Sequence, residues 1–271
     1  MTLPGREAAA GQTAPGHGGK PAVGEAVIDR AFRLLNSFDS EHRVLSLADL
    51  ARRTGIPRSS TLRLARKLTE AGALERLDDG DFVIGLRLLE VASLAPRGHG
   101  LRAVAMPYME DLFHVTQQHV LLAVRDGDDA LLVERLSAHG ATPVRFRVGG
   151  RMPLSATGVG LVLLAHAPAE AQERALRGFA PKDEMNLMEW DSAAELRRTL
   201  AEVRRGGFAV ERETGGTLST VAAPVRNADG VVAALSVVMP SSELAPGTYV
   251  TAVRTSARAI SRQLGAGTRT S

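Results

Sequence analysis

The sequence predicts an α+β protein with two domains: a small, mainly helical N-terminal domain and a larger C-terminal domain built on an antiparallel sheet. Three observations support this prediction. The chain has 271 residues, roughly twice the length of an average domain. Helix-spaced apolar residues fill positions 27–71, and after residue 101 short strand patterns alternate with helical ones. Between the two parts, Pro96, Gly98 and Gly100 interrupt the regular pattern.

Composition excludes several classes of protein before any motif is considered. Hydrophobic residues make up 44% of the chain and charged residues 23%, as in ordinary globular proteins. Cysteine is absent, which excludes disulfides, thiolate metal sites, iron–sulfur clusters and thiol chemistry. No apolar run reaches the roughly 18 residues of a membrane span, and the N-terminus lacks the apolar segment of a signal peptide. We therefore expect a cytoplasmic protein that does not contact a membrane.

The N-terminal domain is expected over residues 24–85, after a tail at 1–23 that has too few large apolar residues to fold. Ser46 is placed as the N-cap of the second helix, and Gly55 ends that helix. The predicted elements are helices at 27–38, 46–55 and 57–71, and strands at 74–77 and 82–84. Two short helices joined by a tight turn and followed by a hairpin are typical of a winged helix-turn-helix.

A cluster of positive charge coincides with this motif. Six basic residues and no acid lie between Leu50 and Thr69, although the net charge of the whole chain is only +3. Such clustering indicates nucleic-acid binding. The third helix also begins with the small polar residues Ser59, Ser60 and Thr61, which can approach phosphates and base edges closely. Aromatic residues are only 4% of the chain, so base stacking on single strands or RNA is not expected.

We therefore predict that double-stranded DNA is bound by the basic and small polar residues of the second and third helices. Arg63 and Arg66 are expected at the major groove or its flanking phosphates, and Arg52 and Lys67 on phosphates. Because one helix reads only a few base pairs, we expect a homodimer on a two-fold operator. The full predicted set is Arg52, Arg58, Ser59, Ser60, Arg63, Arg66 and Lys67.

The C-terminal domain is expected over residues 101–265, after a linker helix and hinge at 86–100 and before a tail at 266–271. A glycine-spaced loop at 149–160 leads into an apolar helix, where free backbone amides can receive a carboxylate. Tight turning and close packing explain the same glycines equally well. The predicted helices are 101–116, 159–167, 169–177, 192–205 and 247–264, and the predicted strands are 119–125, 130–136, 144–148, 208–213, 219–226 and 231–238.

Catalytic and metal-binding interpretations find little support. No G-x-S-x-G elbow surrounds Ser155, and His166 lies in an apolar helical stretch. His114 and His119 are five residues apart, a spacing that does not align two ligands on one helix face. We predict no catalytic residue, no metal ligand and no cofactor. The alternative function is a winged-helix protein-interaction or ligand-binding module without sequence-specific DNA reading, and the basic, acid-free stretch argues against it.

Five sequence blocks occur in a fixed order from about residue 25 to residue 264. They are GIPRS at 55–59 with RL at 63–64, FVIGLRLL at 82–89, VGGRMPLSATGVG at 148–160, GFA at 207–209, and VAAPV at 221–225 with GVVAALS at 230–236. In this order they resemble the IclR-type transcriptional regulators. Five ordered blocks are far more specific than a single helix-turn-helix match.

The resemblance implies a GAF-like C-terminal domain that binds a small metabolite, usually an organic acid. It also implies repression as the more frequent mode of regulation, and dimers that pair into tetramers in some relatives. The first helix and the helix at 86–94 are the expected dimer interface. Carried over residue by residue, the ligand-binding positions are Gly158, Val159, Glu211 or Glu213, Thr220, Ser236 and Val238.

The sequence departs from the family pattern at several of these positions. Ser155 stands where a histidine is common, Leu161 where a lysine usually follows the glycine, and Thr217 where a glycine is usual. Val238 stands where some relatives carry a polar residue. These losses of polar partners make a small dianion a poor fit, and we expect a larger or more apolar effector.

Overall fold

The computed structural model describes residues 26–39, 41–138, 140–178, 190, 192–212 and 216–267. These residues form two compact units, one ending at Arg87 and one beginning at Leu88. The predicted tail at 1–23 lies outside the described residues. Of the tail predicted at 266–271, the first two residues continue the last helix instead. No helix in the described ranges is long and apolar enough to cross a membrane.

The first unit has the predicted order of three helices and a two-stranded hairpin. Its elements are α1 Val27–Leu35, α2 Leu47–Thr54, α3 Arg58–Glu70, β1 Leu74–Arg76 and β2 Phe82–Ile84. A small core of Leu34, Leu50, Leu64, Leu74 and Phe82 joins all five elements. Leu45 exchanges backbone hydrogen bonds with Phe82 at 3.0 and 2.9 Å, which fixes the hairpin against the chain that enters α2.

The end of the hairpin is fixed by a close backbone contact. A Cβ atom on Gly85 would lie 2.2 Å from the carbonyl oxygen of Gly72, so only glycine fits there. Gly72 itself has a φ of +73°, a conformation that other residues adopt at a cost. The two glycines allow the chain after α3 and the chain after β2 to run side by side, with the Gly85 N–H bonded to the Ala73 carbonyl at 3.0 Å.

The second unit is built on a six-stranded sheet in the order β5-β4-β3-β8-β7-β6, with every neighbouring pair antiparallel. Helix α4 (Leu86–Ser93) and a wide helical turn (Pro96–Gly100) precede it. The other elements are α5 Leu101–Thr116, β3 His119–Asp126, β4 Asp129–Leu136, β5 Arg151–Pro153, α6 Gly158–Ala165, α7 Ala169–Arg177, α8 Ala193–Gly206, β6 Ala209–Arg212, β7 Leu218–Asn227, β8 Gly230–Pro240 and α9 Pro246–Gly267.

Helices cover both faces of this sheet, so the unit has three layers and two cores. On one face α5 and α9 pack through Met109, Val253 and other buried side chains. On the other face α6 and α8 pack through Leu161, Leu196 and their neighbours. This mixed α+β arrangement, together with the helical first unit, confirms the predicted fold class.

Two predicted features of the second unit are wrong. Residues 144–148 were expected to form a strand, but the edge strand is Arg151–Pro153. The chain turns at Gly149, which has a φ of +77°, and the Gly150 N–H bonds back to the Arg147 carbonyl at 2.8 Å. The expected break at 96–100 is a helical turn that runs directly into α5. Pro96 stands at its first position, where a missing N–H costs nothing.

Candidate functional site

The turn between α2 and α3 orients the helix that is predicted to read DNA. Gly55 adopts the left-handed conformation with a φ of +68°, and its N–H bonds to the Ala51 carbonyl at 3.0 Å. The buried Thr54 hydroxyl donates to the Leu50 carbonyl at 2.6 Å and accepts from the Ile56 N–H at 3.3 Å. Two of these bonds satisfy the Ala51 carbonyl and the Ile56 N–H, which the end of α2 would otherwise leave unpaired.

Thr61 lies in the first turn of α3, but its side chain packs against the α2–α3 turn and does not face outward. Its side chain is fully buried, and its hydroxyl lies 3.1 Å from the Ile56 carbonyl oxygen. The expectation that Thr61 is free to approach DNA is therefore wrong. Ser59 remains exposed and Ser60 is half-buried, so the polar start of α3 that faces outward consists of these two serines.

The exposed side of α3 carries Arg58, Ser59, Arg63 and Arg66, which we call the basic face. Leu64 and Ala65 lie on the opposite side, buried in the core. This division follows from the helical period of 3.6 residues. Among the described residues, none of the three arginines forms an ion pair, so their charges are available to an external anion.

Both ends of the basic stretch are partly neutralised by acids just outside it. Arg52 bonds to Asp49 at 2.6 Å, and Lys67 bonds to Glu70 at 2.6 Å. The Arg52 guanidinium, together with the Ser46 hydroxyl, lowers the pKa of Asp49 below its usual value. The sequence prediction did not include these two acids, because they lie outside the acid-free stretch. On a helix, residues three positions apart are nonetheless neighbours. The unpaired charge is therefore concentrated on the basic face.

A second candidate site is a cavity of about 40 Å³ in the second unit. It lies between the start of α6 and the sheet face formed by β3, β8 and β7. The strand register places Leu121 beside Ser236 and Thr220 beside Val238, so these four side chains share one face. The lining residues are Leu121, Val144, Arg145, Phe146, Met152, Ala156, Thr157, Gly158, Val159, Thr220, Ser236 and Val238.

The start of α6 approaches the sheet more closely than any residue with a side chain would permit. A Cβ atom on Gly158 would lie 2.3 Å from Cγ2 of Thr220. The Thr157 hydroxyl caps the helix by accepting the Gly160 N–H at 3.0 Å. The first N–H groups of the helix have no carbonyl partner within it and carry the positive end of the helix dipole. An acceptor oxygen is thus favoured at this end of the cavity.

Ser236 provides the clearest indication of a ligand. Its side chain has 0% exposure, yet its hydroxyl has no hydrogen-bond partner among the described residues. Buried polar groups are almost always bonded, because an unpaired hydroxyl costs about 1–3 kcal/mol. Ser236 is one of the residues that line the cavity, so a molecule bound there can supply the missing partner.

One side of the cavity is formed by the segment over residues 142–148, which we call the rim. The rim contributes Val144, Arg145 and Phe146 to the lining. The ring Nε2 of His119 donates to the Thr142 carbonyl at 2.6 Å, and Arg135 donates to the Phe146 carbonyl at 2.8 Å. Two side chains from the sheet therefore hold a segment that is not itself part of the sheet.

Sequence reasoning missed the rim and one further residue. Because 144–148 was interpreted as a strand, Arg145 and Phe146 were not assigned to the site. Trp190 is also buried, and its indole N–H donates to the Ser155 carbonyl at 2.8 Å, holding the loop before α6. It is the only tryptophan in the chain, and that rarity was the available signal.

Of the predicted ligand-binding residues, Gly158, Val159, Thr220, Ser236 and Val238 line the cavity, whereas Glu211 does not. Glu211 lies on the edge strand β6, opposite Thr220 and beyond the cavity. Burial raises its pKa from 4.5 to about 7, and the nearby carboxylates of Glu202 and Glu195 contribute. Glu213 lies outside the described residues.

Comparison with known proteins agrees with both units. A family model described as the bacterial transcriptional regulator IclR C-terminal domain matches residues 95–262, and one described as the IclR helix-turn-helix domain matches residues 27–78. The chain belongs to the IclR family. It is therefore a DNA-binding, ligand-responsive transcriptional regulator and not an enzyme.

Several IclR relatives resemble this chain along most of its length. The HTH-type transcriptional repressor AllR of Klebsiella pneumoniae is 29% identical over 253 residues, covering 89% of this chain and 91% of AllR. The glycerol operon regulatory protein of Streptomyces coelicolor is 29% identical over 252 residues, covering 89% of this chain and 96% of that protein. An IclR homolog from Microbacterium hydrocarbonoxydans, solved in complex with 4-hydroxybenzoate, is 33% identical with a TM-score of 0.81. The match covers 88% of this chain and 99% of that homolog.

Replacing Ser236 by alanine should stabilise the ligand-free protein. The variant removes a buried hydroxyl that has no partner among the described residues, so we expect the free energy of unfolding in urea to rise by about 1 kcal/mol. Ser219→Ala is the matched control, because Ser219 is equally buried on the neighbouring strand but bonds to the Ser241 hydroxyl at 2.8 Å. In that control the free energy of unfolding should fall by about 1 kcal/mol, because a bonded hydroxyl is removed. Equal losses in both variants would contradict the assignment of an unpaired hydroxyl.

Glu211 should make the stability of the second unit depend on pH. Its pKa in the folded protein is about 7, against 4.5 as the ordinary value. Folding therefore favours the protonated carboxyl group. The contribution of this group to the free energy of unfolding is complete below pH 4.5 and is lost as the pH rises through 7. The free energy of unfolding of Glu211→Gln, measured in urea and compared with that of the parent, should therefore rise by about 1–3 kcal/mol between pH 4.5 and pH 8. Glu110→Gln, exposed on α5, should show no such trend; the same trend there would contradict the prediction.

Proposed function

We propose that this regulator binds a palindromic operator as a homodimer through the basic face of α3 and represses transcription until an organic acid enters the cavity. The observation that carries the proposal is the exposure of Arg58, Arg63 and Arg66 without ion pairs on the helix that follows the turn. Guanidinium groups bind phosphates and the guanine edge in a bidentate manner. Repression is supported by the names of relatives such as AllR.

Exposed apolar side chains support the homodimer. Ile28 and Phe32 on α1 are 68% and 61% exposed, and Leu86 and Leu89 on α4 are 69% and 67% exposed. Apolar residues three or four positions apart lie on one face of a helix, and contiguous exposed apolar patches mark interaction surfaces. A second copy of the chain presents the same surfaces, so a two-fold interface can bury both sets. Pairing of two dimers into a tetramer stays a prediction from the family resemblance.

The cavity favours an acid with an apolar body, such as a benzoate. Its lining is mostly apolar, while Ser236, Thr220 and the start of α6 provide polar contacts at one end. Arg145 also lines the cavity, from the rim. The relative from Microbacterium hydrocarbonoxydans is titled as a complex with 4-hydroxybenzoate, which agrees with this chemistry.

Such a ligand requires the cavity to widen. A cavity of about 40 Å³ holds only a few water molecules, whereas an apolar cavity that binds benzene measures about 150 Å³. The rim is the element that can move, because no strand ladder holds residues 142–148. We propose that outward movement of the rim accompanies binding.

Replacing Arg63 by alanine should weaken operator binding. Fluorescence anisotropy with duplex DNA from the promoter of the regulator's own gene should show roughly a tenfold loss, because one guanidinium contact is removed from the DNA. Arg198, exposed on α8, provides the control, and Arg198→Ala should bind as the parent does. Unfolding and dimerisation should be unchanged in both.

The same measurement tests the alternative function. A parent protein that shows no salt-sensitive, sequence-selective binding would be an interaction module. An unchanged affinity of Arg63→Ala at every salt concentration would contradict its placement on the DNA.

A thermal-shift panel should distinguish classes of effector. We expect 4-hydroxybenzoate and benzoate to raise the melting temperature by several degrees at about a hundredfold excess over Kd, because ligand binding to the folded state adds roughly 2.7 kcal/mol there. Glyoxylate and pyruvate should give no shift. Ser236→Ala should reduce the shift, whereas Ser219→Ala should retain it. Stabilisation by glyoxylate-sized acids alone would overturn the preference for an apolar effector.

A further inference from the structure

A second concave region in the C-terminal unit shares no lining residue with the cavity. It has a volume of about 400 Å³ and contains four arginines: Arg226 on β7, and Arg254, Arg258 and Arg262 on α9. We call it the arginine groove. Its floor is made of the small residues Gly207, Ala223, Pro224 and Ala257, together with Ser261.

The period of α9 places three of these arginines in one row. Val253, Ala257 and Ile260 are buried against the sheet. The three arginines come one or two positions after these residues, so they lie along one flank of the helix. Arg254, Arg258 and Arg262 are spaced four apart, which is about 6 Å per step and about 12 Å in total. An anion that contacts all three must extend along the helix.

The sheet edge beside this row is closed to an added peptide strand. β6 pairs with β7 only at residues 219–222, so beyond residue 222 the described residues give β7 no strand partner on that edge, although β8 pairs with its other edge. Pro224 has no N–H to offer, and the Arg226 N–H donates to the Ser261 hydroxyl at 2.8 Å. Natural sheets protect free edges in this way. The groove therefore favours side-chain recognition of a small molecule over strand pairing.

Two of the four guanidinium groups are held in place by uncharged partners. Arg226 lies 2.9 Å from Nε2 of His166, and the other ring nitrogen of His166 donates to the Val162 carbonyl at 2.9 Å. His166 is therefore neutral, and burial followed by the charges of Arg226 and Arg204 lowers its pKa. The guanidinium of Arg254 lies 5.4 Å from the centre of the Phe208 ring.

These contacts position the cations without neutralising them. Within the described ranges, none of the four arginines forms an ion pair with a carboxylate. Elsewhere in the same unit, exposed arginines do find carboxylates, such as Arg174 with Asp128 at 2.8 Å and Arg197 with Glu173 at 3.2 Å. Four clustered like charges repel one another, so the groove is electrostatically complementary to an external polyanion.

We propose that the arginine groove binds a small ligand that carries two or more phosphate groups. Each phosphate group brings up to two negative charges and three acceptor oxygens, so two groups balance four guanidiniums. A volume of about 400 Å³ lies in the range of small-molecule sites. A duplex DNA rod or an acidic protein surface would need a wider, more open basic surface.

Isothermal titration of the full chain with inorganic tripolyphosphate tests this proposal. We expect saturable binding with one site per chain that weakens as salt rises. The double variant Arg258→Ala/Arg262→Ala should bind roughly a hundredfold more weakly, because each charged hydrogen bond is worth about tenfold. Both side chains are exposed, so the fold should be retained, as a melting curve will verify. Arg198→Ala/Arg205→Ala, on the exposed surface of α8, is the control and should bind as the parent does.

Two further variants separate this site from the others. Arg63→Ala/Arg66→Ala removes charge from the basic face of α3, and Ser236→Ala alters the cavity; both should bind tripolyphosphate unchanged. The proposal would be overturned if either of these two variants lost tripolyphosphate binding. It would also be overturned if Arg258→Ala/Arg262→Ala bound tripolyphosphate as tightly as the parent does. Failure of tripolyphosphate to bind at millimolar concentration would overturn it too, as would binding of polyglutamate or duplex DNA in its place through Arg258 and Arg262.

Discussion

The close approach of α6 to the sheet is the constraint on which the C-terminal unit depends. A side chain at Gly158 would collide with Thr220, and one at Gly160 would come within 2.5 Å of the Leu154 carbonyl oxygen. Without side chains at both positions, the helix reaches the sheet and brings its free N–H groups to the edge of the cavity. Packing and site construction therefore have the same cause here. Close packing therefore explains the glycine-spaced loop and is compatible with the proposed anion site.

The sequence predicted local features well because their causes are local. The N-cap at Ser46, the left-handed Gly55 and the division of α3 into a buried and an exposed side all follow from spacing within a few residues. The ion pairs of Arg52 and Lys67 are local too, but their acidic partners, Asp49 and Glu70, lie just outside the acid-free stretch. A window one helical turn wider would have distinguished these residues from the three unpaired arginines.

Features that depend on distant partners could not be predicted in the same way. Residues 144–148 have the apolar alternation of a strand, and only the turn at Gly149 and the bonds from His119 and Arg135 take them out of the sheet. Glu211 shares a sheet face with Thr220 through the pairing of β6 with β7, yet it lies one strand too far from the cavity. Assigning it correctly requires the order of strands in the sheet, which no single strand specifies.

The unpaired hydroxyl of Ser236 gives ligand binding a source of free energy. Among the described residues this hydroxyl has no hydrogen-bond partner, and its burial therefore costs free energy. In the proposed function, an effector that bonds to it removes that cost only in the bound state. A ligand shifts a conformational equilibrium by the difference in its affinity for the two states. In the proposed function the rim moves when an aromatic acid enters. The rim is bonded through the Thr142 carbonyl to His119, which is the first residue of β3 and lies three positions after the end of α5. A helical turn at Pro96–Gly100, which continues directly into α5, transmits a displacement of that helix better than an open hinge would.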